Sequence, residues 1–149
     1  AENQAIGELP SDWEGSMDVV VSFFALEHVA DPRTFADEVH WLLKSDGVFY
    51  FLVPNIFTNP ADFMVVDHIN HFSEWSLHRL LVNAGFVVQD IDRKAHSSAW
   101  VVVATKSDVE AVVPATEVPN INQKRKEAIA IQITDGTKIP AILFLEVLV

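Results

Sequence analysis

Two nearly unbroken apolar runs constrain the fold of this chain more than any other feature. They read MDVVVSFFAL over residues 17–26 and VFYFLVP over residues 48–54, and both are rich in β-branched and aromatic side chains. A strand with one solvent-exposed face alternates apolar and polar residues, whereas a strand buried on both faces, as in a parallel sheet, is continuously apolar. The two runs therefore predict strands that lie side by side inside a sheet.

Helix signals alternate with these strands. Asp31 and Pro32 match an N-cap followed by proline at the first helical position, and Asp46-Gly47 is expected to end that helix. Ser73 is the expected N-cap of a second helix, which should end over residues 83–85. Short connections between such strands and helices are typical of sheets with helices packed on their faces.

The order of the elements predicts an α/β fold with a mostly parallel sheet and flanking helices. The last two strand patterns, over residues 86–94 and 98–106, follow each other too closely for a helical crossover, so we expect an antiparallel pair at one edge. Around Asp135-Gly136 the sequence is consistent with a β-hairpin. The expected organisation is an N-terminal arm over 1–16, the α/β domain over 17–106 and a C-terminal arm over 107–149.

Composition narrows the classes of partner and chemistry. The formal net charge of −11 argues against a nucleic-acid partner, because phosphate binding needs a basic patch. The chain has no cysteine, which excludes disulfides, thiolate zinc sites and cysteine nucleophiles. No apolar window has the length of a transmembrane helix and no signal-peptide pattern is visible, so we expect a cytoplasmic protein without a membrane partner.

Three segments in fixed order carry a family resemblance. They are MDVVVSFFALEHVADP over residues 17–32, FADEVHWLLKSDGVFYFLVPN over residues 35–55 and DHINHFSEWSLHRLLVNAGF over residues 67–86. Together they resemble the second half of class I S-adenosylmethionine-dependent methyltransferases of the small-molecule branch. The resemblance implies a Rossmann-like sheet, S-adenosylmethionine as cofactor and a small-molecule acceptor.

The sequence lacks one feature of that family, the glycine-rich cofactor loop. The family holds the methionine of its cofactor on a glycine-rich loop after the first strand, and this chain has five glycines and no G-x-G-x-x-G. The resemblance therefore implies a carboxyl-terminal half that lacks the first strands of the family fold. This raises the hypothesis that the chain is truncated and inactive alone, with a missing N-terminal half or a second copy as its partner.

The resemblance assigns site residues to the carboxyl ends of the strands, where open α/β sheets bind ligands. The cofactor is expected to contact Ser22, Phe23, Phe24 and His28. The substrate is expected to contact Asn55 and Asp67, and the expected catalytic residues are His71 and His68. A neutral imidazole there would accept a proton from a hydroxyl or amine nucleophile.

Each assignment has a structural alternative. Phe23 and Phe24 could be core aromatics, and Asn55 could be a turn residue. Asp67, His68 and His71 could bind a metal or order the start of the second helix, but we expect no metal because a metal site needs more convergent ligands than this segment provides.

A second class of function also fits the sequence. The missing strands would leave an open apolar edge on the first predicted strand, and such an edge pairs readily with another chain. The C-terminal arm could cover that edge in cis or by exchange between protomers. The alternative to an enzyme is therefore a non-catalytic oligomerisation module derived from a methyltransferase fold.

Overall fold

The computed structural model describes residues 10–107 and 141–145, which form a five-stranded sheet with helices packed against it. The strands are β1 (Met17–Phe23), β2 (Leu43–Pro54), β3 (Phe86–Asp92), β4 (Ala99–Lys106) and β5 (Ile142–Leu145). The α-helices of the described residues are α1 (Pro32–Leu42) and α2 (Glu74–Asn83), and short 3₁₀ turns cover Ser11–Trp13 and Pro60–Met64.

The spatial order of the strands is β3-β4-β2-β1-β5. Strand β1 pairs in parallel with β2 and β5, whereas β4 pairs antiparallel with both β2 and β3. Only β4 therefore runs against the other described strands. The predicted α/β class, the mostly parallel sheet and the antiparallel pair at one edge are confirmed.

Strand β1 ends earlier than the apolar run that predicts it. Phe24 adopts a φ of +51°, a conformation that non-glycine residues rarely take, and the chain turns out of the sheet at that point. The side chains of Ala25, Leu26 and Glu27 nevertheless stay buried. The apolar run therefore continues into the interior after the strand has stopped, and it carries a glutamate with it.

The end of α1 differs from the prediction. The helix stops at Leu42, and β2 begins directly at Leu43 rather than after Asp46-Gly47. The pairing of β1 with β2 then shifts register, so that Met17 faces Leu43 while Val19 faces Val48. Gly47 is needed for space instead of as a helix cap, because a Cβ there would lie 2.8 Å from the Leu43 side chain.

Helix α2 begins and ends as predicted. The Ser73 hydroxyl accepts a hydrogen bond from the Ser76 backbone, and the Ser76 hydroxyl accepts one from the Ser73 backbone in return. Gly85 follows the helix with a φ of +86°, which glycine adopts without strain. A Cβ at this position would also lie 2.9 Å from Nε2 of His40, so α1 and α2 meet at a glycine.

The main apolar core lies between the sheet and the helices. Its largest fully buried side chains come from β2, both helices and the start of β3, and include Phe49, Phe51, Phe86, Leu42, Leu77 and Leu81. Burial of that much aromatic and aliphatic surface is the main stabilising contribution in a domain of this size. The core thereby fixes the strand ends that carry the polar residues described below.

Strand β5 covers the free edge of β1. Its residues Ile142–Leu145 pair with residues 19–22 of β1. The Asp18 carboxylate supports this pairing because Oδ2 accepts a hydrogen bond of 2.7 Å from the Ala141 backbone, while Oδ1 accepts one of 2.7 Å from Nζ of Lys44.

The hairpin predicted around Asp135-Gly136 and most of both predicted arms lie outside the described residues. Within the described ranges, every helix falls short of the length and hydropathy of a membrane span.

Candidate active site

A buried glutamate lies just beyond the carboxyl end of β1. Glu27 is 0% exposed, and neither of its carboxylate oxygens accepts a hydrogen bond from another described residue. Burial raises the pKa of the Glu27 carboxyl, and a hydrogen bond from its own backbone N–H, followed by the nearby imidazoles of His28 and His68, offsets part of that increase. An apolar side chain would fill this space at lower cost, so a buried, unpartnered carboxylate indicates a functional constraint.

One asparagine attaches the 62–72 segment to the exit of β1. The Asn70 side-chain Nδ2 donates hydrogen bonds of 2.6 Å to the Val29 carbonyl and 3.2 Å to the Leu26 carbonyl. Its backbone N–H donates a further bond of 3.0 Å to the Glu27 carbonyl. Because the neighbours of Asn70 are held with it, these three bonds bring His68 and His71 next to the residues that follow β1.

A buried aspartate orients both of those histidines. The 3₁₀ turn Pro60–Met64 buries the Asp62 side chain. Its Oδ1 lies 2.8 Å from Nδ1 of His68, and its Oδ2 lies 3.3 Å from Nδ1 of His71. An ionised carboxylate only accepts hydrogen bonds, so these contacts favour a proton on Nδ1 of each ring, and in the neutral form of that tautomer Nε2 carries the lone pair.

The third imidazole of the group belongs to His28. Its Nδ1 lies 3.0 Å from the Asp67 backbone carbonyl and 3.4 Å from the Asp67 carboxylate. Its ring packs edge-on against the His68 ring, with centroids 4.7 Å apart. We refer to Glu27, His28, Asp62, His68 and His71 together as the histidine cluster.

The predicted site residues separate into two places. His28, Asp67, His68 and His71 meet in or beside the histidine cluster. Asn55 lies just beyond β2 with its side chain buried, where Oδ1 accepts a hydrogen bond of 3.0 Å from the Phe57 backbone. This contact is the turn that the structural alternative anticipated for Asn55.

Asn55 also lines a second feature, a hollow of about 540 Å³ that we call the tryptophan pocket. Its lining combines aromatic, polar and charged side chains: Asn55, Phe57, Thr58, Ser73, Glu74, Trp75, Arg93, Lys94 and Trp100. The Trp100 indole forms a fixed wall, because its Nε1 donates a hydrogen bond of 3.2 Å to the Phe72 carbonyl. The volume falls within the range of small-molecule sites.

The residues predicted to contact the cofactor lie at the end of β1. Phe23 is 41% exposed and Phe24 42% exposed, whereas Ser22 is buried and its hydroxyl has no hydrogen-bond partner among the described residues. The two exposed rings at the carboxyl end of a central strand fit one wall of a nucleoside site, whereas the buried Ser22 hydroxyl lies behind that wall. The residues present therefore fit only one part of S-adenosylmethionine. The glycine-rich loop that holds the methionine part in the resembling family is absent from the sequence.

Sequence reasoning did not single out Glu27, Asp62 or Asn70 as site residues. Glu27 directly follows an apolar run, and Asp62 and Asn70 stand in an irregular stretch with no motif of their own. The available signal was the density of polar residues between two apolar elements. Their contacts depend on chain turns at Phe24 and Pro60, which sequence patterns do not reveal.

Comparison with known proteins gives a consistent result. A family model described as "Methyltransferase domain" matches residues 3–91, which is more than half of the chain. A probable S-adenosylmethionine-dependent methyltransferase of Mycolicibacterium smegmatis is 35% identical over 88 residues, covering 57% of this chain and 34% of that protein. The chain thus spans about a third of the length of that relative.

Solved structures share the fold. A putative S-adenosylmethionine-dependent methyltransferase of Listeria monocytogenes has a TM-score of 0.55 and 20% identity, covering 72% of this chain and 68% of the other. The 1,6-didemethyltoxoflavin-N1-methyltransferase of Burkholderia thailandensis was solved with S-adenosylhomocysteine. It has a TM-score of 0.52 and 25% identity, covering 69% of this chain and 48% of the other.

A further similar structure contains a putative methyltransferase in complex with the Haloferax volcanii Trm112 activator. Its TM-score is 0.56 at 18% identity, covering 68% of this chain and 59% of the other. The fold and the motif resemblance thus agree with the family match. The chain belongs to the methyltransferase domain family.

Proposed function

We propose that this chain serves S-adenosylmethionine-dependent methyl transfer to a small-molecule acceptor. The observation that supports this most is the histidine cluster, because Asp62 orients two imidazoles just beyond the strand ends where open α/β sheets bind ligands. The chain spans only part of the length of its relatives, so the proposal concerns the activity of the protein that contains these residues.

His71 is the proposed proton acceptor. Its Nδ1 donates to Asp62, so Nε2 is available to take a proton from the hydroxyl or amine of the acceptor. The His71 side chain is also more exposed than that of His68, which lies deeper in the cluster. His68 therefore has the weaker claim to this role, although the sequence named both residues.

The end of β1 is the proposed contact surface for the cofactor. Phe23 and Phe24 would provide apolar surface, and His28 would form the side that faces the histidine cluster. Ser22, whose hydroxyl is buried, would support this surface from inside. When bound, S-adenosylmethionine would supply the methyl group. The contribution of this chain is then mainly to hold the acceptor atom close and aligned, which accounts for much of the rate in such displacements.

The tryptophan pocket is the proposed acceptor site. It is lined by Asn55 and by the aromatic rings of Phe57, Trp75 and Trp100, which suit a planar or partly apolar small molecule. Ser73 lines the same pocket and follows His71 closely in the chain. Asp67 stays a proposed substrate residue on the exposed side of the histidine cluster.

Calorimetric titration of the purified chain with S-adenosylhomocysteine tests the proposal. We expect saturable binding in the micromolar range, weakened at least tenfold in a Phe23→Ala, Phe24→Ala double variant. In the protein that contains these residues, His71→Gln should leave the cofactor affinity unchanged and lower turnover about a hundredfold, within the usual contribution of a general base. The matched control His78→Gln changes a histidine of α2 outside the cluster and should alter neither quantity.

Two results would contradict the proposal. A chain that is folded by circular dichroism but binds no S-adenosylhomocysteine would remove the cofactor role from these residues. Equal loss of affinity and turnover in His71→Gln would make His71 a structural residue instead of a proton acceptor. The cytoplasmic location stays a prediction from the sequence.

The interaction module is kept as a second candidate because of β5. This short strand covers the β1 edge within one chain, and the same pairing could form between two copies. Light scattering with multi-angle detection distinguishes the two arrangements. A stable dimer that binds no S-adenosylhomocysteine would favour the module, whereas a monomer that binds it would favour the enzyme.

A further inference from the structure

We propose that Glu27, His28 and His68 form a binding site for one divalent transition-metal ion of the zinc and iron(II) class. One potential ligand atom from each residue lies within 4.8 Å of the others. In a tetrahedral zinc site the ligand atoms are about 3.3 Å apart, so small side-chain rotations would bring this group to bonding distance. The site does not depend on the proposed methyl transfer.

The buried carboxylate is the first argument. Glu27 is fully buried, and neither carboxylate oxygen accepts a hydrogen bond from another described residue, although the ionised form of such a group is costly without a cation. The neighbouring side chains that could supply positive charge are imidazoles, which are neutral when they act as metal ligands. A bound divalent ion would satisfy the carboxylate and both imidazole lone pairs together.

The orientation of the two rings is the second argument. Nδ1 of His68 is held by the Asp62 carboxylate at 2.8 Å, and Nδ1 of His28 by the Asp67 backbone carbonyl at 3.0 Å. Carboxylates and carbonyls are the groups that orient metal-binding histidines through the nitrogen that does not bind the metal. Nε2 of each ring is thereby left as the nitrogen that can bind an ion.

The chemistry of the donor set selects the class of ion. Two imidazoles and one carboxylate suit zinc or iron(II), whereas magnesium and calcium prefer oxygen ligands alone. Three protein ligands leave at least one coordination position open, which is typical of catalytic sites and not of structural zinc sites. The proposal therefore assigns a reactive type of metal site to the exit of β1.

This ligand set differs from the one considered in the sequence. The expectation of no metal was based on Asp67, His68 and His71, which lie close together in the chain. In the structure Asp67 contacts the His28 ring, and His71 contacts Asp62. The proposed ligands instead combine His68 with Glu27 and His28, which belong to the segment that Asn70 joins by hydrogen bonds. The convergent ligands come from two separate segments.

Titration with Co²⁺ tests the proposal without any enzymatic assay. The 149-residue chain is freed of metal with a chelator, and the visible absorption of bound Co²⁺ is followed as the ion is added. We expect saturation at one Co²⁺ per chain, displacement by Zn²⁺ and no displacement by millimolar Mg²⁺. Glu27→Gln and His68→Gln should each weaken binding at least tenfold.

Controls separate loss of ligands from loss of structure. His78→Gln removes a histidine from α2, outside the ligand group, and should leave Co²⁺ affinity unchanged. Circular dichroism of each variant checks folding, and Glu27→Gln should be at least as stable as the parent because it removes a buried carboxylate. His28→Gln provides a third ligand variant if His68→Gln is destabilised.

The outcomes decide the proposal. Failure of the folded chain to bind Co²⁺ or Zn²⁺ would overturn it, as would binding that persists unchanged in folded Glu27→Gln and His28→Gln. Displacement of Co²⁺ by Mg²⁺ would contradict the assigned class of ion. Loss of S-adenosylhomocysteine binding with intact Co²⁺ binding would count against the proposed function and leave the metal site standing.

Discussion

The histidine cluster and the tryptophan pocket border the same 55–73 segment but are built in opposite ways. In the cluster, polar side chains hold one another through short contacts such as that of Asp62 with His68, and Asn70 ties this segment to Val29, which lies far away in the chain. The pocket is open, and much of its wall consists of exposed rings, with Phe57 68% and Trp75 55% exposed. The cluster is therefore preorganised, whereas the pocket can adapt to what it binds.

The largest effect should follow from Asp62→Ala. The change leaves Nδ1 of His68 and of His71 without an acceptor in a largely buried region, so we expect unfolding in urea to show a loss of about 3 kcal/mol. Asp67→Ala is the matched control, because its half-exposed carboxylate makes one contact of 3.4 Å and should cost less than about 1 kcal/mol. Equal losses in the two variants would mean that the cluster is not preorganised by Asp62.

A smaller loss is expected from Asn70→Ala. The variant removes the two side-chain hydrogen bonds to the Leu26 and Val29 carbonyls, at a cost of about 1–2 kcal/mol. Co²⁺ affinity should fall with it, because His68 is no longer held against Glu27. Asn59→Ala is a fair comparison, since the Asn59 side chain makes no capping hydrogen bond at the Pro60–Met64 turn. Unchanged stability and Co²⁺ affinity in Asn70→Ala would show that other contacts position the segment.

A substitution in the tryptophan pocket should have little effect on the free energy of unfolding. Trp75 is mostly exposed and packs under the Arg79 guanidinium at 5.2 Å, so Trp75→Ala should lower the free energy of unfolding by less than about 1 kcal/mol. Co²⁺ affinity should not change. A loss comparable to that of Asp62→Ala in chemical denaturation would mean that the pocket wall is as rigidly built as the cluster.

The smallest effect concerns a helix cap outside both regions. The hydrogen bond donated by the Thr34 hydroxyl lowers the pKa of the Asp31 carboxyl. A carboxyl whose pKa is lower in the folded chain stabilises the fold above its unfolded pKa, and this contribution disappears as the pH falls through the folded value. Thermal melts of the parent and Asp31→Asn should therefore differ slightly at neutral pH and converge in acid. A difference that grows in acid would refute this sign.

Local signals predicted much of the fold. Asp31 and Ser73 cap their helices through side-chain contacts within three residues, and Gly85 ends α2 with a positive φ. Such features depend on neighbouring residues alone, so the sequence displays them. The end of α1 was mispredicted because Gly47, an ordinary helix-stop signal, is required for packing against Leu43.

The candidate site was predictable only in part. His68 and His71 were visible as a dense polar motif, and their position beside His28 followed from the strand order. The partners that fix them were not visible, because Glu27 enters the interior through the turn at Phe24 and Asp62 through a 3₁₀ turn. Neither turn has a sequence signature strong enough to predict which long-range contacts it allows.

The position of β5 has a consequence for how the protein forms. The hydrogen bond from the Ala141 backbone to Asp18 joins residues 123 positions apart. Contacts of that span close a long loop and slow folding. On the ribosome, β1 and β2 are synthesised long before β5, so the pairing of β5 with β1 can form only late in translation. A high local concentration of nascent chains would favour exchange of β5 between neighbouring chains.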